Sequence, residues 1–225
     1  MRLKINQKKG VMLLSGGMDS VTTLYLAKHK GYKLSAIIFD YSQRHKKEIE
    51  SAKKIASLNG VKYYVERIDL SWVKSSLTDK GMAIPLNRNL NGKGVPVTYV
   101  SGRNIIFLSY AFSLAESIGA AKVFIGAHTQ DYSGYPDCRP KFLEKFEAAA
   151  NCGLVSKKIK ISAPLIRKSK KDIIRLGLRL GVPFEMTWSC YNGGKRPCER
   201  CDSCRFRIKA FSDLGMKDPT LRQEL

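Results

Sequence analysis

Short runs of apolar, largely β-branched residues alternate along this chain with stretches whose apolar positions recur at helical spacing. "VMLLS" (11–15) reads as a buried strand, and a helix follows from Ser20 to about Lys30. "LSAIIFD" (34–40) predicts a second strand. Ile49, Ala52, Ile55 and Ala56 then mark one face of a helix over 44–59, and "KYYVERI" (62–68) a third strand. The rhythm breaks over 70–100, where "AIPLNRNLNGKGVPVTYV" has the Gly, Pro and Asn of a long connection; loops of this length are uncommon unless functional or mobile. It resumes with a helix over 104–118, a strand over 122–127, a helix over 140–151, a strand over 158–164 and a helix over 169–180. Such alternation predicts an α/β fold built on a parallel, helix-flanked sheet. These sheets bind ligands at the carboxyl ends of their strands, which gathers Ser15, Asp40, Ala127 and His128 on one edge.

The first strand runs into "SGGMDS" (15–20). Gly16 and Gly17 permit backbone conformations and close approaches closed to other residues. A strand-to-helix turn here aims free N–H groups at an anion, beside the positive end of a helix dipole. Ser15 and Ser20 add hydroxyls. Asp19 would repel phosphate, and so suits Mg²⁺ held against it. The bland alternative is an ordinary Gly-Gly turn with Ser20 capping the helix. Neither G-x4-G-K-[ST] nor G-x-G-x-x-G is present.

Six cysteines occur, four of them as Cys190, then Cys198, Cys201 and Cys204 in two C-x2-C steps. In a chain read as cytoplasmic, clustered thiols predict metal ligands rather than disulfides. Four thiolates suit a closed, structural Zn²⁺ site; an iron–sulfur cluster uses the same ligands. Lys195, Arg196, Arg200 and Arg205 would offset its negative charge. The formal net charge of +21 is attractive to anions such as nucleotides, though a solvated lysine-rich surface explains it equally. No apolar run is long enough for a membrane span, and no apolar core of a signal peptide follows the basic start.

"DYSGYPDCRP" (131–140) follows a strand end and carries Asp131, Tyr132, Ser133, Tyr135, Asp137 and Cys138. Carboxylates with aromatic hydroxyls suit a planar heterocycle, since a guanine-type edge asks for a carboxylate acceptor. A polar turn around Gly134 and Pro136 is the plainer reading. Lys168, Lys170 and Lys171 open a helix near a strand end, where they meet either phosphate or solvent.

"SGGMDS" resembles the S-G-G-x-D-S loop of the ATP-pyrophosphatase superfamily. That resemblance implies a Rossmann-like, adenine nucleotide alpha hydrolase-like fold that cleaves ATP between its α- and β-phosphates. The loop then grips the departing pyrophosphate while a substrate oxygen attacks the α-phosphorus. "YSQRHKKEIE" (41–50), "SGRNIIFLS" (101–109), "IGAHTQDYSGYPDCRP" (125–140), "LGVPFEMTWSCYNGG" (180–194) and "PCERCDSCRFRIKAF" (197–211) are further similar to the 7-cyano-7-deazaguanine synthase family, over about residues 11–219. The resemblance implies an ATP-dependent ligase turning 7-carboxy-7-deazaguanine and ammonia into the nitrile, for deazaguanine-modified tRNA. It places ATP on Leu14, Ser15, Gly16, Gly17, Met18, Asp19, Ser20, Val21, Thr22, Thr23 and Leu24, and zinc on Cys190, Cys198, Cys201 and Cys204. It also implies a homodimer. The family's V-P-G-R-N reads Val100-Ser101-Gly102-Arg103-Asn104 here, without the proline, and no role for His128 carries over.

On this reading Ser15, Asp19, Ser20 and Arg103 form the catalytic set. Ser15, Gly16, Gly17, Asp19 and Ser20 hold phosphate and Mg²⁺; Arg103, with Arg44 or His45, neutralises nucleotide or carboxylate charge. Asp131, Tyr132 and Asp137, beside Ser133 and Tyr135, orient the heterocycle. The expected organisation is a nucleotide-binding domain over 1–186 with a zinc-binding segment over 187–225 packed on it. The alternative is a tRNA-modifying adenylating enzyme of the thiolation or lysidine type, against which the 125–140 block suits a small planar substrate. Direct nucleic-acid binding is not expected.

Overall fold

The computed structural model describes residues 7–89, 94–128, 135–155 and 158–221. Its centre is a parallel sheet of β1 (Lys9–Leu13), β2 (Lys33–Asp40), β3 (Lys62–Arg67), β4 (Lys122–Phe124) and β5 (Lys160–Ser162), in the order β3-β2-β1-β4-β5. Val11 pairs with Ser35 on one side and Val123 on the other. Between β1 and β4 the strand order reverses, and at such a switch the connections diverge to opposite faces and leave a crevice.

The strands read as near-continuous apolar runs because both faces are covered. Val11, Leu13, Ile37, Phe39 and Val123 face α3 (Arg103–Ile118) and α4 (Pro140–Cys152), with Leu70, Val73 and Leu77 from the long connection. Met12, Leu14, Ala36, Ile38 and Phe124 face α1 (Met18–His29), α2 (Lys47–Leu58), α5 (Lys170–Arg179) and α6 (Asp202–Ser212). The last of these starts straight after Cys201 and adds one helix to those the periodicity predicts.

Two strands are shorter than their apolar runs. Beyond Ile125, whose N–H still reaches Ser162 O at 3.0 Å, the chain leaves the sheet as Gly126 settles against the backbone of Asp19 and Ser20. On the edge strand β5, the outward N–H of Ile161 is taken by the Glu147 carboxylate of α4 at 2.7 Å, which closes an edge that would otherwise invite pairing.

Candidate active site

The phosphate loop is Ser15-Gly16-Gly17, between β1 and α1. Gly16 has φ +80°, and a Cβ there would lie 2.4 Å from Glu48 O and 2.7 Å from Ala52 N, so both conformation and space demand glycine. Its carbonyl accepts from Ser51 Oγ at 3.0 Å and Trp188 N at 3.0 Å, and Ser51 Oγ also reaches Met186 O at 2.6 Å. Gly17, not Ser20, occupies the cap of α1. Ser20 Oγ instead braces the loop, accepting from Ser15 N at 3.2 Å, meeting Ser15 Oγ at 3.0 Å and donating to Gly17 O at 3.1 Å. No side chain among the described residues caps α1, so its first-turn N–H groups are left for an anion.

Ser15, Gly17, Asp19 and Ser20 line a cavity of about 320 Å³ over the switch point, joined there by Leu14. Met18, Val21, Thr22, Thr23 and Leu24 are buried in the helix packing instead, with Thr22 Oγ1 turned back to Met18 O at 2.7 Å. Asp19 Oδ2 lies 2.6 Å from Lys170 Nζ and 3.5 Å from His128 Nε2. Burial acts to raise the Asp19 carboxyl, but Lys170 and His128 outweigh it and hold the group far below the usual carboxylate range. Its other oxygen, Oδ1, is buried without a hydrogen-bond partner among the described residues. An ionised carboxylate with one unsatisfied oxygen, beside uncapped N–H groups, fits a divalent cation bridging to phosphate.

Arg103 is the first residue of α3, after Gly102 at φ +66°. Its Nη1 donates to Tyr41 Oη at 3.1 Å and its guanidinium lies 5.5 Å from the Tyr41 ring centroid. Arg44 and His45 also line the cavity. The Arg44 guanidinium donates to Met82 O at 2.7 Å and to Ser76 O and Lys80 O at 3.3 Å, ordering the long connection. His45 stands edge-on to Trp188 at 6.4 Å, and burial lowers its pKa. Tyr135 lines the cavity with its hydroxyl 2.8 Å from Thr98 Oγ1. Asp137 is buried at the cap of α3, where Oδ2 accepts from Asn104 N at 3.0 Å; the Asn104 amide continues to Cys138 Sγ at 3.2 Å. Asp131, Tyr132 and Ser133 lie outside the described residues.

Several lining groups carry no sequence signal of their own. Lys170 is assigned to Asp19 only by the fold. Glu48 reads as one of two acids complementing the α2 dipole, yet it faces the cavity, and burial, partly offset by Arg103, pushes its carboxyl up to about 7. Phe39 and Phe107 lie stacked at 3.8 Å with their planes 2° apart, and both reach the cavity wall.

The Sγ atoms of Cys190, Cys198, Cys201 and Cys204 all lie within 4.8 Å of one another. Tetrahedral Zn²⁺ with bonds of about 2.3 Å places sulfurs about 3.8 Å apart, which this cluster meets with a small contraction. The long connection docks on the cluster: Leu86 bridges to Cys201, Asn87 N donates to Arg200 O at 2.9 Å, and Arg88 pairs with Asp202 and lends its carbonyl to Arg205. Arg88 and Asp202 then form part of the cavity wall. Behind it, Arg207 is buried and binds Asp218 through Nε at 2.7 Å and Nη2 at 3.0 Å, with Thr187 Oγ1 at 2.6 Å and Phe184 O at 2.9 Å.

The sequence profile of a family described as Queuosine biosynthesis protein QueC matches residues 9–215. A protein of Trichodesmium erythraeum named 7-cyano-7-deazaguanine synthase is 49% identical over 221 residues, covering 95% of this chain and 100% of its own. The chain belongs to the 7-cyano-7-deazaguanine synthase family. Relatives of the same name from Clostridium kluyveri (50% identity, 94% of this chain, 96% of theirs) and Thermoplasma acidophilum (48%, 96% and 92%) carry the family across bacteria and an archaeon. The NMN synthetase structure from Francisella tularensis superposes with a TM-score of 0.54 at 16% identity, covering 94% of this chain and 79% of its own. That likeness is one of fold, and it agrees with the Rossmann-like sheet expected for a 7-cyano-7-deazaguanine synthase.

Proposed function

We propose that the protein makes 7-cyano-7-deazaguanine from 7-carboxy-7-deazaguanine, ammonia and ATP, for deazaguanine-modified tRNA. The observation that carries this reading is the family match across residues 9–215, a span that includes the phosphate loop, the cavity-lining residues and the cysteine cluster. The first-turn N–H groups of α1 and the Ser15 and Ser20 hydroxyls receive the pyrophosphate portion of ATP. Asp19 would hold Mg²⁺, which spreads the charge developing on the phosphates. Arg103 neutralises charge on the substrate carboxylate or the α-phosphate. A carboxylate oxygen attacks the α-phosphorus and pyrophosphate leaves; ammonia then displaces AMP to give the amide. A second ATP adenylates the amide oxygen and releases a second pyrophosphate, and loss of AMP and the amide N–H protons gives the nitrile in the same cavity.

The four cysteines would hold Zn²⁺, whose contribution is to fix the turn before Asp202, on which the connection carrying Arg88 docks. The family resemblance supports reading the protein as a cytoplasmic homodimer. No helix among the described residues is long and apolar enough to cross a membrane. Mass spectrometry of reactions with Mg-ATP, an ammonium salt and 7-carboxy-7-deazaguanine tests the reading. Nitrile with AMP and pyrophosphate is expected. AMP release that requires tRNA would replace it with the tRNA-modifying alternative, and untouched ATP would overturn it.

A further inference from the structure

Among the described residues three carboxylates line the cavity, and their circumstances differ. Asp19 is ion-paired with Lys170, and Asp202 with Arg88. Glu48 has neither an ion pair nor a side-chain hydrogen bond among the described residues, although it stands on the first turn of α2, directly behind the phosphate loop. Arg103 acts on it through space from α3 without closing on it. The acceptor thus has a donor for a neighbour, and the aromatic residues Tyr41, Phe107 and Tyr191 line the same cavity.

The carboxyl end of a deazaguanine must sit near the α-phosphate. Its Watson–Crick edge shows two N–H donors, from the ring N–H and the 2-amino group, and the adjacent ring carbonyl projects on the same side as the 7-carboxyl group, so that one guanidinium can serve both. A carboxylate accepts the first two in a bidentate pair, and a guanidinium donates to the third. Asp137, the other described carboxylate suited to that task by sequence, has its Oδ2 committed to Asn104 N and does not line the cavity. We propose that Glu48 is the specificity-determining residue for the heterocycle, accepting hydrogen bonds from its ring N–H and 2-amino group while Arg103 donates to the adjacent carbonyl. Burial raises the Glu48 carboxyl, and a heterocycle with two N–H groups would supply the donors its oxygens lack among the described residues.

This inference rests on the reading under Proposed function, and one set of assays separates the two. Wild type is first given 7-carboxy-7-deazaguanine; absence of nitrile there is a failure of that reading. With nitrile formed, the wild-type enzyme is compared on the 2-desamino analogue, 7-carboxy-7-deazahypoxanthine, which lacks one of the two donors. The analogue is expected to lose about tenfold or more in kcat/KM. Glu48→Gln is expected to raise KM for 7-carboxy-7-deazaguanine by about tenfold or more, to leave KM for ATP within about twofold, and to shrink the discrimination against the analogue to a few-fold. Glu48→Asp, which keeps the charge one methylene back, is expected to retain part of the discrimination. A rise confined to the KM for ATP, or unchanged discrimination in Glu48→Gln, would overturn the assignment. If Glu48→Gln shows no cooperative melting transition, the wild-type comparison decides: equal turnover of the two heterocycles overturns the proposal.

Discussion

Gly126 is where β4 gives way to the phosphate loop, and it supplies a direct test of how tightly that loop is held. An added Cβ would stand 2.9 Å from Ser20 N, and 3.0 Å from both Asp19 C and Ser20 Cα. Ordinary contacts between such atoms lie near 3.5–4.0 Å, so the start of α1 must retreat by about half an ångström or more. All three obstructing atoms are backbone, so no rotamer change relieves the contact. The position has no positive φ, and the effect of Gly126→Ala is therefore displacement rather than conformational strain. Overpacking of this kind costs about 1–3 kcal/mol, or roughly 3–10 °C in Tm for a chain of this size. Because a shift of about 1 Å in a positioned group can reduce rate about 100-fold, kcat/KM for ATP should fall by about 10–100-fold. Melting followed by far-ultraviolet circular dichroism gives the first quantity, and AMP release against ATP concentration the second. If Gly126→Ala keeps its Tm and stays within about twofold in kcat/KM, the loop is not seated on Gly126 as described, and the argument fails.

Three further outcomes follow from the same structure. Asp218→Ala leaves the Arg207 guanidinium buried without its bidentate partner and should cost about 3–5 kcal/mol by denaturant titration, while the double change to Arg207→Met with Asp218→Leu should recover much of it. Lys170→Met removes the cation that does most to hold Asp19 ionised. Since the folded Asp19 pKa lies below its unfolded value, that stabilisation is present above the ordinary carboxylate range and disappears as pH falls through and below it. The variant should therefore melt below wild type at pH 7, with the gap narrowing towards pH 3; a gap that widens with acid would contradict the pairing. Cys204→Ala should lower bound zinc, measured by plasma mass spectrometry, from about one equivalent to nearly none, with a loss of cooperativity in melting. Full zinc in that variant would place the metal elsewhere.

The features with a short sequence footprint were readable before any coordinates. "SGGMDS" holds its meaning within six residues, and two C-x2-C steps with a fourth thiol eight residues upstream point to one metal site. The strand-helix alternation gave the class of sheet, since each element announces itself through its own period. Distances between elements were not readable. Glu48 looks like any acidic residue in a helix's first turn, and only the packing of α2 against Gly16 turns it into the cavity. Lys170 is one of three lysines near the start of a helix, and nothing local selects it over Lys168 or Lys171 for Asp19. Asp137 sits in a turn-like stretch suggestive of a binding loop, yet its carboxylate closes the first turn of α3 through a hydrogen bond to Asn104, a partner distant in sequence. The irregular stretch over 70–100 was legible as a long connection; that it docks on the cysteine cluster through Leu86 and Arg88 depends on register that composition does not encode.

The carbonyl of Gly16 is gripped by Ser51 and by the backbone of Trp188, and this has a consequence for the order of events on the ribosome. At about 5–20 residues per second, Trp188 is added roughly ten to thirty seconds after the loop it steadies. In that interval β1, β2 and α2 can meet, since Ser51 is already present, but one of the two donors on Gly16 is still missing. A nascent chain stalled before Trp188 would display the nucleotide motif without its second brace. The last brace of the loop is thus among the later parts of the chain to be made.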